Sequence, residues 1–194
     1  MASILEWPSE EALLMRHEKT SFNKNDYILV PAGKAVIISR GGDYSEIYRE
    51  GDKPSLGSGL LRKPADLYLI DTQSSEAVSW GFGGIQCGKR TCGVNGSLKL
   101  KVTSPRKFLT SYASQDLPLT AEKLAALWIP KLGDLIRQQI IRLKSADVSD
   151  AEIPFQMSEK ITEALTDPME ERGFQLVELT IEPLFFPDTE EEDE

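Results

Sequence analysis

Histidine occurs once and cysteine twice in this chain of 194 residues. A hydrolytic triad needs an imidazole held between a nucleophile and a carboxylate. His17 instead sits beside Arg16, Glu18 and Lys19 in a polar stretch with no nucleophile-elbow pattern, and reads as an exposed, idle side chain. A structural zinc takes four ligands; Cys87, Cys92 and one distant histidine fall short of that. Gly81, Gly83 and Gly84 lack the Lys-Ser/Thr that follows a phosphate loop and read as turn glycines. The expectation is therefore no catalytic, cofactor-binding or metal-binding residues, and a chain that is not an enzyme. No apolar run approaches the ~20 residues of a membrane-spanning helix. Met1 to Pro8 carries neither the basic region nor the apolar stretch of a signal peptide, so the chain reads as cytoplasmic. Positive charge is also scarce: 22 basic residues face 31 acidic ones, for a net charge of −9. Six of those acids fall within residues 188–194, which read as a solvated, disordered tail. The remainder is nearly neutral and has no basic stripe, which argues against a nucleic-acid partner.

What the chain does have is 40% hydrophobic residues, enough for the core of one domain. The clearest stretch is 96–109. Leu98, Leu100 and Val102 alternate with Ser97, Lys99, Lys101 and Thr103, the pattern of a half-buried strand. Ser104 then stands at an N-cap and Pro105 at the first helical position, with Phe108, Leu109 and Tyr112 at helical spacing. Upstream, the sequence predicts a short apolar segment at 12–16 and a hairpin of 27–30 with 35–39 around the turn Pro31-Ala32-Gly33-Lys34. It predicts a second turn at Gly41-Gly42 leading to a strand over 44–49, a loop over 52–64, and strands at 66–71 and 76–80. A cysteine-bearing hairpin follows. Downstream, Thr120 caps a long helix to about residue 144, with an apolar stripe from Leu124 to Leu143 that Pro130 should kink or split. Residues 147–154 read as a linker, Ser158 as the start of a further helix ended by Gly173, and 174–184 as a closing strand. Strands, then helices, then one strand make an α+β fold, a mainly antiparallel sheet with helices packed on one face. The expected organisation is one domain over 1–187: a β-rich part to about 104, a helical part over 105–173 and the closing strand.

In order and spacing these signals resemble the SPFH (band 7) superfamily of stomatin, prohibitin and flotillin, nearest its bacterial "virion core protein-like" branch. The resemblance is carried by Glu6-Trp7, the strand from Asn25-Asp26 to Val30, and Pro31 to Val36. It continues through Ile70-Asp71, Val78-Ser79-Trp80-Gly81 and the 96–109 junction to Met169-Glu170-Glu171-Arg172-Gly173-Phe174-Gln175-Leu176, and covers about residues 5 to 187. The resemblance implies a non-enzymatic scaffold that oligomerises with itself, recruits protein partners and works at membranes.

Three places are candidates for contact or chemistry. Cys87 and Cys92 bracket Gly88-Lys89-Arg90-Thr91, a spacing that brings two cysteines together across a hairpin. Lys89 and Arg90 would favour thiolate, so a redox-responsive regulator is the alternative to a scaffold. Leu5 and Trp7 offer a membrane-interface contact, opposed by Glu6, Glu10 and Glu11. Trp128 and Ile129 broaden the helical stripe enough to reach a partner or a second protomer. Localisation is then cytoplasmic, with peripheral contact at the inner membrane left open.

Overall fold

Residues 4–5, 11–17, 26–55, 65–143 and 152–187 are described by a computed structural model. Its strands are β1 (Ile4–Leu5), β2 (Leu14–His17), β3 (Tyr27–Ile28), β4 (Lys34–Arg40), β5 (Asp43–Arg49), β6 (Asp66–Asp71), β7 (Val78–Cys87), β8 (Arg90–Val102) and β9 (Phe174–Ile181). Its helices are α1 (Pro105–Tyr112), α2 (Ala121–Ile141) and α3 (Ile153–Glu170). The fold is α+β, with two antiparallel sheets in place of the one expected: four strands in the order β2-β6-β4-β5, and three in the order β7-β8-β9.

Ala35 to Ile38 is apolar without alternation because the four-stranded sheet is covered on both faces. Ile37, Tyr68 and Ile70 point into the main core. Val36, Ile38, Leu67 and Leu69 point the other way, into a smaller core with Met15, Ile28 and Val30. The expected hairpin of 27–30 with 35–39 does not form. β4 is flanked on both sides by β5 and β6, so it has no edge left to offer. β3 pairs in parallel with β1, and the N–H groups of Ile28 and Val30 donate to the carbonyls of Pro54 and Asp52. His17 is likewise not in a loop: it lies in β2, opposite Leu67, and is half-buried.

The three-stranded sheet carries the helices. α3 packs on β9 and α2 on β7, while α1 reaches β4 and β5 of the other sheet. Arg106 of α1 donates to the carbonyls of Tyr44 and Ser45 at 3.2 Å. Leu98, Leu100 and Val102 are buried as their alternation predicts, and Pro105 opens α1, although the Ser104 side chain makes no capping bond. Thr120 caps α2 by accepting from the Lys123 N–H. α2 runs unbroken across Pro130, so the proline does not split it. Two expectations change. α3 begins at Ile153 rather than Ser158, with Pro154 in its first turn, where a missing N–H is tolerated. Gly81, Gly83 and Gly84 do not end a strand: β7 runs through them, with a bulge between Phe82 and Ile85. Among the described residues no helix is long and apolar enough to cross a membrane. The acidic tail lies outside the described residues.

Gly173 stops α3 with φ +86°, and a Cβ there would stand 2.5 Å from both the Phe108 nitrogen and the Ser104 oxygen. Gly42 has φ +88° but open space around it. Gly42→Ala should therefore cost only the left-handed backbone penalty of about 1–2 kcal/mol. Gly173→Ala should cost clearly more, because α1 must also move away. Urea unfolding of the two variants checks the order.

Candidate functional site

The β7–β8 hairpin pairs Cys87 with Arg90 and Ile85 with Cys92, so the two cysteines are diagonal neighbours on one face. Both thiols are free, and both are buried, Cys87 6% and Cys92 0% exposed. The spacing brings them together as a hairpin, as the sequence predicts. Burial, and then the neighbouring Cys87 thiol, pushes the Cys92 thiol up from its ordinary value of 9.0. The Arg90 guanidinium, expected to stabilise a thiolate, lies 4.4 Å from the Phe186 ring centroid.

A second site lies at the far end of the same sheet. Phe174, the first residue of β9, is ringed by Phe108, Tyr112 and Trp128 with centroids 5.9, 6.0 and 5.4 Å away. The Trp128 indole N–H donates to the Tyr112 hydroxyl at 3.0 Å, a buried bond between α2 and α1. Outside this cluster, Lys131 Nζ and the Arg172 guanidinium lie 5.6 and 5.5 Å from the Trp128 ring centroid. Trp128, Tyr112, Lys131 and Arg172 line a cavity of about 340 Å³, with Ser111, Gln115, Leu127 and Pro168 completing the lining. Among the described residues, neither Lys131 nor Arg172 is paired with a carboxylate. Burial raises the Tyr112 pKa, while the Trp128 bond and Arg172 act in the opposite direction.

The expected contact residues divide. Trp128 is 8% exposed and packs in the core with its N–H satisfied, so that little more than the part lining the cavity is open to contact. Ile129 is half-buried against that core, and Leu127 beside it is the exposed residue. Leu5 contributes backbone pairing to β1, and Trp7 lies outside the described residues. Sequence reasoning missed Lys131, Arg172 and Tyr112 as a group. Lys131 stands three residues after Trp128, a helical spacing that signals contact. Arg172 gives no such signal, because only the turn into β9 brings it to Trp128. No group of three or more potential metal-binding side chains occurs among the described residues.

Cys92 and the tyrosines at 48, 68 and 112 all have raised pKa values, with burial the first cause for each. The unfolded chain then loses these protons at lower pH than the folded one, so their contribution to stability is complete below the ordinary values and lost as pH rises through the folded ones. Unfolding free energy should be level with respect to these groups up to about pH 8 and fall from about pH 9 upward, where free thiols and then phenols ionise. Cys92→Ser should flatten the earliest part of that fall, as followed by urea midpoints across pH.

No protein-family model matches the chain, and a search of curated proteins finds no match to it.

Proposed function

We propose that this chain is a non-catalytic scaffold domain of the SPFH kind, which associates with itself and recruits protein partners in the cytoplasm and at the inner face of a membrane. The observation that carries the proposal is the edge strand β7. It is ten residues long, Val78-Ser79-Trp80-Gly81-Phe82-Gly83-Gly84-Ile85-Gln86-Cys87, with no charge and no proline. Among the described residues, its only strand partner is β8. Natural edge strands are blunted by lysine, proline or a cover, because a bare row of N–H and C=O groups is a template for another strand. The four-stranded sheet follows that rule: Arg106 reaches two carbonyls of β5, and the backbone of Leu119 bonds to Leu13 and Leu14 beside β2. Among the described residues β7 has only its bulge, which leaves its edge suited to a second chain.

Light scattering over a range of concentrations tests this reading. The expected mass exceeds 21.6 kDa and rises with concentration, more so on anionic liposomes if the membrane contact holds. Ser79→Lys, an exposed substitution in β7, should weaken association by about tenfold. A monomer at every concentration overturns the proposal.

A redox-responsive regulator remains the second reading, favoured by the contact between the Cys87 and Cys92 thiols. Under the scaffold reading, a variant with both cysteines changed to serine keeps the wild-type assembly. Assembly that tracks oxidation in the wild type and is lost in that variant selects the second reading.

A further inference from the structure

We infer that the cavity beside Trp128 is an anion-binding site whose occupant is the acidic C-terminal segment, residues 188–194, of a second copy of the chain. This rests on the self-association proposed above and names a contact within it.

Three features point to an anion. Lys131 and Arg172 converge on one indole from different elements, and neither is neutralised by a carboxylate among the described residues. The Tyr112 hydroxyl accepts from the Trp128 N–H, so its own hydrogen is left to donate, and Tyr112 is 2% exposed while lining the cavity. A phenol O–H, a guanidinium and an ammonium around one opening form a donor set for a carboxylate. The surroundings are apolar on one side, which strengthens such contacts relative to open water.

The occupant follows from charge and reach. In a chain of net charge −9, six acids lie within residues 188–194. A neighbouring copy is better placed to deliver them than the same copy. Phe185 bridges Gly93, near the hairpin end of β8, whereas the Gly173 carbonyl next to Arg172 accepts from Thr103, just past the other end of β8. Ten strand residues separate these levels by about 33 Å. The nine residues 186–194 span about 31 Å only at full extension, so the same copy would have to run its whole tail straight back along the sheet. The segment of a neighbouring copy has no such limit.

A fluorescein-labelled peptide of residues 184–194 is titrated into the full chain bearing amide replacements at its own six tail acids: Asp188→Asn, Glu190→Gln, Glu191→Gln, Glu192→Gln, Asp193→Asn and Glu194→Gln. Binding should be saturable, should weaken with added salt, and should fall about tenfold with Arg172→Gln and again with Lys131→Gln. Urea midpoints confirm that both variants remain folded. Light scattering on the neutral-tailed chain should show weaker assembly than the native sequence. Peptide binding that ignores both substitutions, or no binding at millimolar peptide, overturns the inference. If wild-type and neutral-tailed chains then assemble equally, self-association stands without this contact. A chain that stays monomeric in every form overturns both.

Discussion

The architecture depends on one close approach, that of the Gly173 backbone to the junction between β8 and α1. The Gly173 carbonyl accepts from both the Thr103 and Ser104 N–H groups at 2.9 Å. Those donors precede the first turn of α1, where a helix leaves its N–H groups without internal partners and outside acceptors matter most. The contact requires that α3 end at this point, that the chain turn through a left-handed residue, and that β9 start opposite Val102. Phe174 then enters beneath Phe108, Tyr112 and Trp128, and the aromatic cluster closes. The preceding residue, Arg172, is carried to the outer side of Trp128. One glycine thus fixes sheet register, core packing and the position of the Arg172 cation together.

How much of this could be read beforehand depended on whether the cause was local. The alternation of Leu98, Leu100 and Val102, the proline opening α1, the Thr120 cap, the Gly41-Gly42 turn and the stop at Gly173 were all legible, because each is decided by neighbours in sequence. The partner of residues 27–30 was not. A turn of Pro31 to Lys34 suits a hairpin, and the turn is present, with the Lys34 N–H donating to the Pro31 carbonyl. Yet β4 is taken on both sides by longer ladders, which offer more bonds than a two-residue strand can. The division into two sheets and the bulge in β7 are non-local in the same way. At the candidate sites, the cysteine spacing was legible as a hairpin. The depth at which the hairpin sits was not, and depth decides the thiol chemistry.

That last point has a general physical content. Lys89 and Arg90 are adjacent to Cys87 and near Cys92 in sequence, and by spacing alone they should favour ionised sulfur. In an antiparallel hairpin, however, turn residues project outward while cross-strand neighbours on the inner face pack against the core. Arg90 finds an aromatic face in Phe186, and Cys92 meets apolar side chains and another thiol. Removing a thiolate from water costs more than an exposed, solvated cation returns. A charge helps a buried group only when it is buried with it or aimed at it, as Arg172 is toward Tyr112.

The two sheets differ in what they leave available. The central strands of the four-stranded sheet are covered on both faces, and side-chain or backbone groups meet it at both outer strands. The three-stranded sheet buries one face under α2 and α3 and presents the other as Ser97, Lys99, Lys101, Glu178 and Thr180, with Lys99 and Glu178 paired at 2.8 Å. Its outer strand β7 has no charge to repel a neighbour. The cavity of Lys131 and Arg172 sits toward one end of this sheet, and the chain leaves toward its acidic residues from the other. Where two copies lie antiparallel, each tail meets the other's cavity and the contact closes a two-fold dimer. Where they stack head to tail, the contact is heterologous, and repeats until rotation closes it into a ring or translation draws it into a filament. Edge pairing through β7 favours a two-fold dimer as well. Only the antiparallel arrangement therefore lets one two-fold axis serve both features, the uncharged strand that pairs with its own copy and the cavity that takes a tail.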